Sequence, residues 1–513
     1  MPPSYVCRAP GRGLQFRGWS RLPGVYKGGM PLFRPSRPGC LPVLSALVRR
    51  LATIGALATA LSTALSTALS TALSTALSSA HASPQPTLSL PRASLAPADL
   101  AVLVAQGDAL SEAVALAYQK ARGIPAANII RLAVRTGSDS ISDSDFASLK
   151  AEIDARLPAG VQASLVTWTQ PSRVVGTSPA AASGAAAGAG CAMGITSALA
   201  FGYSPALCGG CNRTQASAYY DTDTTRPHTD LRIRPAMMLG APTLEAAQAL
   251  IARGLAAEGT APTGTGWLLR TADAARSVRW PDYPALPAAW ATPPGLALRF
   301  LDASAGTSPQ ELSGQTDLLF YFTGAVKLAQ LESNRFLPGA VADHLTSNGG
   351  QLGGSHGQML ATAWLAAGAT ASYGTVEEPC NHPEKFPRAS VLIEHYLRGA
   401  TVIEAYWKSV AWPGQGLFLG DPLARPWAHT PRATVEDGVL VVRTRALRRL
   451  NTYQLQFQAA GSSQWRLLDS WPAGQPRPIT WRVPLPPDAA GGRLRWLGPC
   501  PLRPVDRCVL AEG

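Results

Sequence analysis

Glu377, Glu378, Cys380 and His382 place two carboxylates, a thiol and an imidazole within six positions of one another. Two carboxylates can share acid and base roles when burial separates their pKa values. A thiol beside an imidazole supplies a thiolate for acyl transfer. Glu and His could also hold a metal, but no HExxH or comparable ligand frame is present. The plainer alternative is a solvated loop with Cys380 tied in a disulfide. Upstream, Ser355-His356 stands in the Gly-rich run Gly349–Gly357. Adjacent residues rarely make a nucleophile and its base, because the base must reach the hydroxyl from elsewhere in space. Ser355 therefore reads first as the cap of a helix starting near Gln358.

Other candidate motifs carry less. Cys208-Gly-Gly-Cys211 fits a redox pair, half a zinc site or two structural cysteines. Zinc needs two further ligands in a partner pair, and there is no second CxxC and no HxxxH. A thioredoxin-type pair would open a helix, whereas Gly209-Gly210 before Asn212 reads as loop. Tyr219–Asp223 shares the Asp alternation of a calcium loop but lacks its glycine and distal glutamate. Asp421 in Gly-Asp-Pro reads as a turn residue at a strand end. The Ala/Gly/Ser stretch Thr177–Gly190 has no GxxxxGK[ST] or GxGxxG frame and reads as a flexible segment. No cofactor and no metal are expected.

The elements that must position these groups begin with short apolar runs. Leu100–Val104, Ile129–Val134, Ser164–Trp168, Ala236–Gly240, Gly266–Arg270 and Asp317–Phe322 read as buried strands. Helical spacing falls between them at Asp108–Arg122, stopped by Gly123, at Phe146–Leu157, and at Leu244–Gly254 with Thr243 as cap. Alternation of this kind predicts an α/β domain with a mostly parallel sheet flanked by helices. Further on, Met359–Gly368 and Ser390–Leu397 read as helices, with a strand at Ala369–Ala371. After Trp427 the texture changes. Val439–Arg443, Tyr453–Gln458, Trp465–Leu468 and Thr480–Val483 are short strands separated by Gly, Ser and Pro, as in a small β-sandwich. The organisation expected is a leader over 1–82, a Pro-rich lead-in over 83–97, an α/β core over 98–430 and a β-sandwich module over 431–513.

The chain has 513 residues and a formal charge of +13. Nine of its 45 basic residues (Arg8, Arg12, Arg17, Arg21, Lys27, Arg34, Arg37, Arg49 and Arg50) lie in 1–82, which holds no acidic residue. The remainder carries 36 basic against 32 acidic residues, a net of +4. A nucleic-acid groove needs its basic residues clustered on the folded part. The nearest cluster, Arg443, Arg445, Arg448 and Arg449, fits exposed positions of a strand and turn. Nucleic acid is therefore excluded as a partner. A partner, if the protein has one, is expected to be a protein or a cell-surface component.

Arg49-Arg50, the uncharged stretch Leu51–Ala80 and Ala80-His81-Ala82 before Ser83 follow the plan of a secretory signal peptide. Thr-Ala-Leu-Ser recurs five times in tandem between Thr59 and Ser78. The stretch is long enough to span a bilayer, so an uncleaved anchor is the alternative, and Met30 is a possible true start. Cleavage near Ala82/Ser83 makes the protein periplasmic or secreted, with no transmembrane segment in the mature chain. Export permits disulfides. Of the eight cysteines, Cys191, Cys208, Cys211, Cys380, Cys500 and Cys508 remain after the leader, and six allow 15 connectivities. Cys500–Cys508, closing a short loop, is the pairing expected first.

A resemblance covers most of residues 98–427, with residues 317–427 the most informative part. Arg122-Gly-Ile-Pro-x-x-Asn128, Gly368-Ala-x-Ala-x-x-Gly374-Thr-Val-x-Glu-Pro379, Phe386-Pro387 and Gly420-Asp-Pro-Leu423 resemble a secreted bacterial family of unknown function. The order also looks distantly like the gingipain branch of caspase-fold cysteine peptidases. The resemblance implies a caspase/gingipain-like core followed by an immunoglobulin/fibronectin-like module. In that branch one buried strand ends in His-Gly and a later strand ends in the nucleophilic Cys. Here Leu318–Phe322 runs into Thr323-Gly324, and the region Thr346-Ser347-Asn348 has no Cys. Threonine cannot act as a general base near neutral pH, so the peptidase roles carry over to no residue. Two expectations follow. One is a non-peptidase binding or structural protein with its crevice beyond the strand ends, at Thr323, Gly324, Thr346 and Ser347, with Ser355, His356 and Glu377 nearby. The other is a hydrolase with a substituted site, using His356 or His382 with Glu377 and Ser355 or Cys380.

Overall fold

The computed structural model describes residues 84–176, 191–290, 296–354, 356–474 and 476–513. The leader, the Ala/Gly/Ser stretch and Ser355 lie outside the described residues. The main sheet has ten strands. They are β1 (Leu100–Ala105), β2 (Ile129–Leu132), β4 (Ala163–Val166), β7 (Ala236–Met238), β8 (Gly264–Arg270), β9 (Leu296–Asp302), β10 (Leu318–Gly324), β11 (Phe336–Leu345), β12 (Ala371–Thr375) and β13 (Gly416–Gly420). Three short strands, β3 (Ser140–Ser142), β5 (Arg173–Val175) and β6 (Ala192–Gly194), form a side sheet. The main sheet runs in the order β2-β1-β4-β7-β13-β12-β11-β10-β8-β9.

Parallel pairing joins β2, β1, β4 and β7 on one side, and β12, β11, β10, β8 and β9 on the other. β13 runs antiparallel to β12 over five residue pairs and meets β7 at one pair, Leu419 with Met238. Every residue of β1, β4, β10 and β12 is buried. A parallel sheet covered on both faces requires continuous apolar strands, and Leu318-Leu-Phe-Tyr-Phe322 is such a run.

The helices form where caps and apolar spacing coincide. Asp108 accepts from the Ser111 amide at 2.8 Å and opens the helix Ala109–Arg122, which Gly123 closes at φ 65°. Thr243 accepts from the Ala246 amide and opens Leu244–Ala257. The expected helix Met359–Gly368 shrinks to Thr362–Ala366, with Ala361 at its N-cap position. Ser355 is thus not that helix's N-cap. The strand expected at Ala369–Ala371 begins at Ala371 and runs to Thr375.

The C-terminal strands form two antiparallel sheets. One contains β14 (Arg432–Glu436), β15 (Val439–Thr444) and β18 (Ile479–Pro484). The other contains β16 (Thr452–Gln458), β17 (Arg466–Pro472), β19 (Arg493–Pro499) and β20 (Arg507–Glu512). Leu440, Val442, Leu455, Phe457, Trp481 and Trp496 share their core. Leu88 of the Pro-rich lead-in is buried in that same core, and the Gly491 amide donates to the Pro84 carbonyl. The lead-in is therefore part of the C-terminal module's packing.

The two regions are clamped by buried charge. Arg448 donates to Asp221 and Asp223, and Arg398 to Asp223 at 2.7 Å. This corrects the expected exposure of the arginine cluster: Arg448 is buried, while Arg443 is exposed and paired with Glu436. The arginines beside it hold the Asp223 carboxyl far below its ordinary range despite the burial that opposes them.

Candidate functional site

Two segments meet at the carboxyl ends of β10 and β11, where the crevice was expected. On β11 the alternation of side chains sends Asp343 and His344 to opposite faces, and both are buried. Asp343 Oδ1 accepts from Arg279 Nη1 at 2.6 Å. The same guanidinium donates to the Thr323 carbonyl at 2.8 Å and the Pro387 carbonyl at 3.2 Å. It stands 5.9 Å from the ring centres of Phe322 and Phe386. Burial raises the Asp343 carboxyl pKa, against the opposing pull of Arg279. Asp343 Oδ2, Arg279 Nε and the Thr323 hydroxyl have no hydrogen-bond partner.

His344 is an imidazole that belongs to none of the motifs legible in the sequence. Its Nδ1 accepts from the Trp364 indole at 2.9 Å, which places the proton on Nε2, 3.1 Å from the Met359 carbonyl. Burial lowers its pKa to about 4. Neutral and engaged at both nitrogens, it has no lone pair free to act as a base.

The other residues of the expected crevice are engaged with their neighbours. Thr346 Oγ1 donates to Gln358 Oε1 at 2.7 Å, and the Thr375 hydroxyl donates to the Thr346 and Ser347 carbonyls. Above β10 the chain crosses at Arg276. A Cβ on Gly324 would overlap the Arg276 carbonyl, so this approach requires glycine. Arg276 Nε lies 3.5 Å from Thr346 Oγ1.

The acidic loop resolves into a clip. Cys211 pairs with Cys380 and Cys191 with Cys208, at Cα separations of 5.0 Å and 5.5 Å, within the usual range. Cys500 pairs with Cys508 as expected. Cys208 and Cys211 thus go to different partners, and Cys380 carries no free thiol. Glu377 Oε2 accepts from the Gly209 and Gly210 amides, each at 3.1 Å, and from Gln415 at 2.9 Å. Glu378 accepts from the Cys380 amide at 2.8 Å. His382 Nε2 lies 2.9 Å from the Cys211 carbonyl, and its ring rests against Trp412. Lys385, buried beneath, donates to the Gly210 carbonyl, and desolvation lowers its pKa to about 8. His356 is exposed, at φ 45°. Among the described residues no hydrogen bond or ion pair joins His356 to Glu377 or His382, and Ser355 lies outside them.

A groove of about 840 Å³ lies between the helices Leu244–Ala257 and Thr362–Ala366. Thr169 and Gln170 after β4, Gly240 after β7 and Gln358 after β11 reach it. No family model matches the chain, and neither a curated protein nor a solved structure does.

Among the described residues no three His, Cys, Asp or Glu side chains are grouped to hold a metal, and no helix is long and apolar enough to cross a membrane. The sequence offered one signal for Asp343 and His344: two polar residues inside the run Val341–Leu345, where burial without a partner would be costly. For Arg279 and the groove it offered none.

Proposed function

We propose that this chain is an exported binding protein built on a caspase-like α/β core and without peptidase chemistry. One observation carries the reading. At the ends of β10 and β11, where the resemblance would put an imidazole and a thiol, the Arg279–Asp343 pair holds the Thr323 carbonyl beside a His344 engaged at both nitrogens, and no described residue there carries a thiol. An arginine is charged at all ordinary pH values, so it can neither abstract a proton nor attack a carbonyl. The disulfides support an oxidising compartment. The engaged His344 and the tied Cys380 speak against a substituted hydrolase.

The test is exposure of the exported protein to a mixed peptide library, with and without reductant, read by mass spectrometry for new termini. No cleavage is expected in either condition. Cleavage that disappears in Glu377→Gln or His382→Ala would overturn the proposal.

A further inference from the structure

Arg253 lies in the second half of the helix Leu244–Ala257 and lines the 840 Å³ groove. Its Nη2 donates to the Leu365 and Ala369 carbonyls at 2.9 and 3.2 Å. Those bonds satisfy carbonyls at the end of the helix Thr362–Ala366, which is a structural role. They leave the charge itself unanswered. No carboxylate pairs with Arg253 among the described residues, its Nε is buried without a partner, and desolvation alone lowers its pKa. Four buried arginines differ. Arg122, Arg279, Arg398 and Arg448 each face an aspartate. Arg445 shares the lack of a carboxylate, but it borders a cavity of about 170 Å³, below the range of roughly 300–1,000 Å³ that holds small molecules.

Apart from Arg253, Thr169, Gln170, Gln358 and Thr362 the rest of the lining is apolar, with Ala246, Ala249, Leu250, Ala363 and Ala366 on the two helices. At the opposite wall, Gln358 has its amide oxygen fixed by Thr346 and Asn348. A single cation in a groove of this size and lining suits a ligand with one anionic head and an apolar body.

We propose that the groove binds a small organic carboxylate, its acid group on Arg253 Nη1 and its apolar body along the facing alanines of the two helices. This goes beyond the non-peptidase reading and does not depend on it, because the groove shares no residue with the Arg279–Asp343 pair.

The experiment is calorimetric titration of the full exported chain with octanoate, octanol and octylamine. Octanoate is expected to bind about tenfold or more tighter than octanol, a difference of about 1.4 kcal/mol, and octylamine more weakly than either. Arg253→Gln should abolish the preference for octanoate over octanol, and Arg253→Lys should keep part of it. Ala249→Trp, at an exposed helix position, should block both ligands while leaving the melting temperature unchanged. It decides the matter if Arg253→Gln does not fold. The proposal falls if octanol matches octanoate, if Ala249→Trp leaves octanoate binding intact, or if octanoate gives no heat. It also falls if a peptide with a free carboxyl terminus binds where octanoate does not. Peptide cleavage would overturn the non-peptidase reading and leave this result standing.

Discussion

Replacing Arg122 with leucine should be among the most damaging single changes in the α/β core, and replacing Asp421 at the same time should relieve the damage. Asp421 follows β13, and its side chain is fully buried; that of Arg122, the last residue of the helix Ala109–Arg122, is 5% exposed. The two are ion-paired, and the Tyr118 hydroxyl donates to Asp421 Oδ1 at 2.7 Å. Removing the arginine leaves a buried carboxylate with only Tyr118 and the Leu423 amide as donors. A buried charge stripped of its partner costs about 3–5 kcal/mol. Asp421→Asn removes the carboxylate but keeps an oxygen for Tyr118. Arg122 then retains Glu258 at 3.7 Å, with 37% of that side chain exposed. What it loses is one hydrogen bond to a charged group, about 1.5–3 kcal/mol.

The double variant Arg122→Leu/Asp421→Asn leaves no charge stranded and should be more stable than Arg122→Leu alone by about 1 kcal/mol or more. Urea unfolding of the four proteins, followed by tryptophan fluorescence and far-ultraviolet dichroism, gives the comparison. A double variant that costs the sum of the two single changes would refute the reasoning. So would an Arg122→Leu cost below about 1 kcal/mol, the scale of an exposed pair.

The other predictions concern the same protein under different stresses. Protein unfolded without reductant should show no reactive thiol at the six cysteines from Cys191 onward, and Cys211→Ser/Cys380→Ser should lower stability by about 5 kcal/mol by the loop-entropy relation, since the bridge spans 169 residues; full thiol reactivity would overturn the pairing. Stability should fall on acidification below about pH 6.5. Burial holds the pKa of His344 at about 4, His395 at about 3 and His429 at about 4, so between these values and their ordinary one the unfolded chain binds protons that the folded chain refuses. Asp221 and Asp223, whose carboxyls are depressed, add a loss in the same direction at lower pH. His344→Gln should reduce the slope between pH 6.5 and 4 by about a third, measured by urea midpoints across pH, and an unchanged slope would mean that His344 titrates normally. Gly254→Ala should cost about 1–3 kcal/mol by overpacking, because the added methyl would overlap the Asp421 carboxylate and the Arg122 guanidinium; a neutral result in thermal unfolding would show that the helix Leu244–Ala257 can shift there freely.

How much could be read beforehand follows from what kind of information each feature leaves in the chain. A strand buried on both faces must be apolar throughout, so β1, β4 and β10 stand out as runs. β9, at the edge of the sheet, alternates buried and exposed positions, then has two intermediate ones before the exposed Asp302, and its mixed sequence Leu296-Ala-Leu-Arg-Phe-Leu-Asp302 gave no such run. Alanine-rich composition favours helix, which extended the expected helix at Met359–Gly368 beyond its five observed residues; there Ala361 and Gly349 join through backbone instead.

Spacing along the chain reports only local partners. Asp421 and Arg122 are far apart in sequence, and so are Arg448 and Asp223. Each residue alone looks like a surface charge, and only the fold turns the two into one neutral buried unit. That also explains why the acidic loop misled: Glu377, Cys380 and His382 are close in sequence, yet each is engaged with the segment Gly209–Cys211 or the bridge into it. In a chain with only 15% charged residues, such pairing accounts for most of the buried arginines, so the informative residues are those the rule does not cover. Lys408 has no ion pair but feels Glu404 and Asp223. Arg253 and Arg445 have neither, and Arg253 borders the larger groove. A partly desolvated cation without a carboxylate is the group that the proposed anionic ligand would answer.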